Sequence, residues 1–304
     1  MTARGATATA CAALLLGCAA APRWQDDLPR ALADARAAQR EIVVFFALRG
    51  RVTSDRMEES LPDSTVGAAL ADGAFDAVVA DGKERARLCA EWVGGPDGMG
   101  VAVLDAAGRR YAARPGPQDP PELAAFLRRC AASRGELARL SAAVAAAPAP
   151  TDQHALGCLL LELGNVRDAE PLLLAAATAG VADSRHRLAR LCAQDGDLTR
   201  ARQWLATAPR TPAARVTEGY VLFKEKKARD AATVLDAALR DGGLGGDRQR
   251  AALFLGKALH DAKDDARAVQ VLEALASEGT GSTFEAAARH TLSHVRDGGH
   301  RHDS

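Results

Sequence analysis

Between residues 157 and 275 one five-position spacing occurs four times, which restricts this half of the chain to a stack of like units. The first copy is Gly157, Gly164, Ala169, Leu173 and Ala176, with successive steps of 7, 5, 4 and 3 residues. The second is Ala189, Gly196, Ala201, Leu205 and Ala208, and the third is Gly219, Lys226, Ala231, Leu235 and Ala238. Gly256, Lys263, Ala268, Leu272 and Leu275 make the fourth. Copies start 32, 30 and 37 residues apart, and the Gly-rich "DGGLGGD" at 241–247 accounts for the long step. The spacing describes a helix hairpin. A small residue at the first position lets two antiparallel helices approach closely, and "LGNV", "DGDL", "EKKA" and "AKDD" supply polar turns. Alanine at the third position seats the second helix, and leucine follows one turn later. "STFEAAARHTLSHVRD" then predicts a terminal helix that covers the last apolar face.

This ladder resembles the tetratricopeptide repeat, whose period is about 34 residues. The resemblance implies an all-α solenoid of about four repeats over 151–297. It also implies a protein or peptide partner held on the concave face of the first helices. The facing positions are then His154, Cys158 and Leu161; His186, Arg190 and Ala193; Val216, Tyr220 and Phe223; and Leu253, Lys257 and His260. Such a groove is mildly basic, with an apolar patch at Tyr220 and Phe223, and suits a peptide with acidic and aromatic side chains. The alternative is a structural stack whose concave face is simply solvated.

The first half reads differently. "DLPRALADARAAQR" has a helical apolar period, and "EIVVFFAL" is the continuous run of a strand covered on both faces. "RMEESLPDSTVGAALA" is helical in two pieces broken at Pro62, and "FDAVVAD" is a second strand. "GVAVLDAAGRRYAAR" reads as a hairpin turning at Ala106-Ala107-Gly108, and "PPELAAFLRRCAASRGELARL" as a closing helix. An Ala- and Pro-rich linker is expected at 133–150.

That element order, with "EIVVFFA" before a turn, Met57-Glu58 after it and "VAVLDAAG" near the end, resembles a thioredoxin-like domain over 24–132. The overall expectation is an α/β thioredoxin-like domain followed by a tetratricopeptide solenoid. Aligned on Met57, the family's two redox cysteines fall at Arg51 and Ser54, and its cis-proline at about Met99, with Pro96 three residues early. Thiol exchange needs a thiolate at a helix N-terminus and a second thiol two residues on. Neither is present, and no histidine precedes His154 to activate Ser54. Asp55 and Glu58 read instead as an N-cap pair. No catalytic residue is assigned and no cofactor is expected.

The N-terminus carries an address. Residues 1–18 hold one basic residue, Arg4, and an apolar stretch of about a dozen residues, short of the about 20 that span a bilayer. Leu15-Leu16-Gly17-Cys18 is similar to a bacterial lipobox, which implies lipidation at Cys18 and a lipid-anchored, extracytoplasmic protein of the cell envelope. Ordinary cleavage among Ala19 to Ala21, giving a soluble periplasmic or secreted protein, is the alternative. Four cysteines then remain, Cys89, Cys130, Cys158 and Cys192; each sits on an apolar helical pattern, where a buried free cysteine acts as a small hydrophobe, and that is the expectation. Cys89 with Cys130 is the pair to consider for a disulfide or an unconventional redox site. Lysine plus arginine equals aspartate plus glutamate at 39 each, so nothing argues for nucleic acid. His290 and His294 stand one helical turn apart near a polar tail at 298–304 that also holds His300 and His302; no metal site is assigned. The functional expectation is a non-catalytic interaction scaffold. A thiol oxidoreductase or redox sensor, and a structural envelope protein without a ligand, are its rivals.

Overall fold

The computed structural model describes residues 24–94 and 98–296. The targeting segment with Cys18, the Pro96 position, and the tail with His300 and His302 lie outside the described residues.

The first unit runs α1 (Leu28–Ala37), β1 (Ile42–Ala47), α2 (Val52–Ser60), α3 (Ser64–Asp72), β2 (Asp76–Asp81), α4 (Ala86–Trp92), β3 (Gly100–Leu104), β4 (Arg110–Pro115) and α5 (Pro120–Ala146). The order is the expected one. Its sheet is ordered β2-β1-β3-β4, with β2 parallel and β3 antiparallel to β1. Every residue of β1 is buried because its alternating side chains feed two cores. Val43, Phe45 and Ala47 pack with Met57 of α2, Leu70 of α3 and Phe126 of α5. Ile42, Val44 and Phe46 pack with Leu28 of α1 and Cys89 of α4. Helices on both faces of this sheet make a small mixed α/β domain of the thioredoxin-like kind.

That layering agrees with the reading of the cysteines as buried and unpaired, and it goes against the alternative Cys89–Cys130 pair. Cys89 lies in the core on one face of the sheet and Cys130 in the core on the other. Both are free, and the sheet between them forbids the close Cα approach a disulfide requires. Burial pushes the Cys89 thiol up to about 11 and raises that of Cys130 as well, so neither is a ready thiolate.

The linker expectation is corrected. Residues 133–146 continue α5, and only 147–149 separate it from the next helix. Alanine favours the helix, and the break waits for Pro148, which holds Ala147 in an extended conformation. The helix thereby serves both halves. Near its middle, Arg134 donates to Glu41 at 2.8 Å and stacks on Phe75, 4.6 Å from its centroid. Further on, Leu140 is buried among Leu156, Leu160 and Ala169 of the first repeat.

The second unit stacks four hairpins: α6 (Pro150–Glu162) with α7 (Val166–Thr178), α8 (Asp183–Gln194) with α9 (Leu198–Ala206), α10 (Pro212–Lys224) with α11 (Ala228–Asp241), and α12 (Arg248–Asp261) with α13 (Asp265–Ala276). A 3-10 turn, Gly245–Asp247, precedes α12, and α14 (Thr283–Arg296) closes the stack. The ladder has a direct structural meaning. A Cβ added at Gly157, Gly219 or Gly256 would lie 2.8, 2.5 or 2.5 Å from Cγ of Leu173, Leu235 or Leu272, the fourth rung of the same copy. The third rung, Ala169, Ala201, Ala231 and Ala268, is fully buried. The second rung leaves the first helix with positive φ in all four copies: Gly164 78°, Gly196 87°, Lys226 64° and Lys263 69°. The second copy departs at its first rung, where the Ala189 methyl replaces glycine. Its α9 is shorter, and Leu205 stays partly exposed beside Trp204.

Three contacts fix the halves together. The Ala113 N–H of edge strand β4 donates to the Leu163 carbonyl at 2.9 Å, so the α6–α7 turn covers that edge. Arg110 reaches from β4 to the Trp92 carbonyl at 3.0 Å and to the side chains of Asn165 and Asp168. At the far end, a Cβ at Gly281 would stand 3.3 Å from the Pro121 carbonyl oxygen, so the α13–α14 loop rests on the start of α5.

Glycine-to-alanine changes test the seam. In an unobstructed helix the exchange stabilises by roughly 0.5–1 kcal/mol, and Gly135 of α5 has nothing within 4 Å of an added Cβ. Gly135→Ala should therefore gain about that much. Gly256→Ala instead drives a methyl into Leu272 and should lose about 1–3 kcal/mol by overpacking. Urea unfolding of both variants is the measurement, and equal gains would mean the seam is not tight.

Candidate ligand-binding face of the helical repeats

Arg51 and Ser54 sit at the β1–α2 junction, where the resemblance places a redox centre. Arg51 is the N-cap residue of α2. Ser54 is fully buried, and its Oγ accepts the Leu48 N–H at 2.7 Å, which closes the turn rather than presenting a nucleophile. Asp55 does not cap α2, because the helix already begins at Val52; its carboxylate accepts the Gly50 N–H at 3.1 Å instead.

The expected groove residues lie on α6, α8, α10 and α12, but tertiary packing treats them unequally. His154 and Leu161 on α6 are half-buried, and the His154 Nδ1 pairs with the Ser184 hydroxyl at 2.8 Å. Its Nε2 stands 3.5 Å from Cys158 Sγ. Burial raises that thiol and lowers that imidazole, so the pair is neutral and lacks thiolate character. His186 and Arg190 on α8 are buried, at 3% and 6% exposure. Tyr220 on α10 is also buried, contrary to the expectation of an exposed ring. Its ring meets that of Phe254 at 4.5 Å between centroids, because α12 of the next repeat lies directly alongside. Phe223 is half-buried, 5.6 Å from the same Phe254 ring. Lys257 lies 5.8 Å over that ring, and His260 Nδ1 pairs with Asp265 at 2.6 Å. Thus Phe223, Phe254, Lys257 and His260 form one half-exposed aromatic and basic face across the third and fourth repeats.

Phe254 was not among the residues expected on the face. It lies one position beyond the expected Leu253, which is 4% exposed and packs into the stack instead. Nor does the repeat pattern single out Asp247, at the end of the glycine-rich insertion. It bonds Arg190 of α8 and Arg250 of α12, and so ties the second repeat to the fourth.

Beside these residues an open cleft of about 610 Å³ lies between the α/β domain and the repeats. The end of α4 and strand β4 form one wall, and the ends of α6 and α8 with the start of α12 form the other. Among the described residues, no group of three or more His, Cys, Asp or Glu side chains is placed to hold a metal ion.

Residues 154–215 and 216–283 match the family model described as tetratricopeptide repeat. No curated protein matches the chain. The repeats are therefore tetratricopeptide repeats, and the two matched stretches run from within α6 to the first residue of α14.

Burial makes His186 a pH sensor of stability. Desolvation, followed by the nearby Arg187 and Arg190 charges and opposed by Asp247 and Asp183, depresses its pKa from 6.5 to about 4. The unfolded chain then binds the extra proton between these values. The stabilisation is complete above about pH 6.5 and is lost as pH falls toward about 4, up to roughly 3 kcal/mol. Unfolding midpoints between pH 7 and pH 5 should fall for the native protein, and His186→Gln should remove most of that slope.

Proposed function

We propose that this chain is a non-catalytic interaction scaffold of the bacterial cell envelope, whose repeats capture a protein or peptide partner. The observation that carries the reading is the half-exposed face of Phe223, Phe254, Lys257 and His260 on adjacent first helices. Aromatic rings beside a cation, on a rigid helical surface, suit an apolar side chain next to an acidic one. Tetratricopeptide repeats generally bind proteins or peptides, which supports the same reading. Redox chemistry through Cys89 and Cys130 is opposed by their placement on opposite sides of the sheet. The α/β domain then serves as a mounting block that braces the first repeat through α5 and β4.

Capture of a partner from envelope extract, measured with unfolding on the same variants, separates binding from packing. Phe223→Ala should cost about 2 kcal/mol of binding, roughly a thirty-fold loss, with a smaller effect on stability than Tyr220→Ala. Tyr220→Ala should unfold markedly earlier, by roughly 3–5 kcal/mol, since it empties a buried aromatic site. Lys257→Ala should slow association, more so at low salt. Unchanged capture by both Phe223→Ala and Lys257→Ala would leave a structural stack as the better account.

Anchoring rests on the resemblance of Leu15-Leu16-Gly17-Cys18 to a lipobox. Cys18→Ser should move the protein from the membrane fraction to the soluble envelope fraction. Retention on the membrane would remove the lipid anchor.

A further inference from the structure

Two arginines compete for one oxygen in the middle of the stack. Arg190 of α8, at 3.4 Å, and Arg250 of α12 both reach Oδ1 of Asp247. Their side chains keep only 7% and 21% of their exposure, so the single carboxylate leaves one largely buried guanidinium charge unbalanced. Among the described residues Asp247 is the one hydrogen-bonding partner of Arg190. One turn earlier on α8, both ring nitrogens of His186 are buried without a hydrogen-bond partner, as is Nε of Arg187. Desolvation and the neighbouring Arg250 charge push the Arg190 guanidinium down to about 9, a second expression of the same imbalance.

Both arginines open on the cleft of about 610 Å³ described above. That size is in the range of small-molecule sites, roughly 300–1,000 Å³. Its apolar lining is Val93 from the α/β domain with Leu161, Val166 and Leu191 from the repeats. Arg110, also on the wall, is already engaged by Asn165 and the Trp92 carbonyl, and the other charged lining residues, Glu91, Arg167 and Asp195, are exposed to solvent, which leaves Arg190 and Arg250 as the withdrawn donors for an anion.

We propose that the cleft is a binding site for a compact organic carboxylate. Its oxygens take guanidinium donors of Arg190 and Arg250, and a short apolar body rests on Val93, Leu161, Val166 and Leu191. Guanidinium groups favour this pairing because their planar fork matches the two oxygens of a carboxylate. The site goes beyond partner capture by the face of Phe223, Phe254 and Lys257. One wall belongs to the α/β domain, and the site stands whether or not that aromatic face binds a protein.

The test titrates the full chain with isovalerate at pH 7 and constant ionic strength, following chemical shifts and melting temperature. Isoamyl alcohol serves as the neutral counterpart, and a blocked peptide with one glutamate as the macromolecular source of the same group. Saturable binding of isovalerate, absent with the alcohol, is expected. Arg190→Gln and Arg250→Gln should each weaken it at least tenfold, while Arg139→Gln, exposed on α5 and paired with Glu136, should leave it unchanged. Asp247→Asn removes the competing carboxylate and should tighten binding at least threefold. If that variant is unfolded alone, refolding on addition of isovalerate supports the site, and failure to refold counts against it. Equal responses to acid and alcohol, full affinity in Arg190→Gln, or binding of the glutamate peptide alone would overturn the proposal.

Discussion

Each repeat depends on how closely its two helices approach, and in three of the four a glycine sets that distance by leaving room for a leucine. Removing the Cβ at Gly157, Gly219 and Gly256 admits the leucine of the second helix to a position that even a methyl group would contest. The closely apposed helices then bury the third-rung alanine completely. Where alanine replaces glycine, at Ala189, the second helix is shorter and its leucine is partly uncovered. The departure follows from the same steric rule. The same hairpin carries the buried His186 and Arg190 on its first helix.

The α/β domain owes its connection to the repeats to α5. One end of that helix closes the core on β1, and the other packs as an extra helix against α6. A solenoid needs its terminal faces covered. Here α5 covers the first and α14 the last. The Ala113–Leu163 hydrogen bond and the seat of Gly281 on the first turn of α5 add two further attachments at separated points. The junction is therefore a packed surface rather than a tether.

Electrostatics and packing divide the inner face into two regions. In the second repeat, His186 and Arg190 are withdrawn from solvent and share the neighbourhood of Asp247 and Arg250. In the third and fourth, the Phe223–Phe254 pair and Lys257 keep partial exposure. A charge withdrawn from water demands a specific counter-group, whereas a half-exposed aromatic surface tolerates varied apolar partners. The two regions therefore suit different occupants, a small anion and a polypeptide.

The ladder and the strand run of β1 were legible in the sequence because each reports a local rule. Glycine under leucine recurs at fixed spacing, and a fully apolar six-residue strand must be covered on both faces. The missing thiols at Arg51 and Ser54 were legible for the same reason, since the chemistry demands particular residue types at particular positions. Tertiary structure alone decided the fates of side chains whose partners are distant in the chain. Whether Tyr220 faced solvent depended on Phe254 in the next repeat, thirty-four residues on. The separation of Cys89 from Cys130 depended on which face of the sheet each helix covers. Asp247 looked like part of a spacer because nothing local marks it. Its role arises when the stack brings α8 and α12 to within reach of one carboxylate, a distance that helix periodicity does not encode.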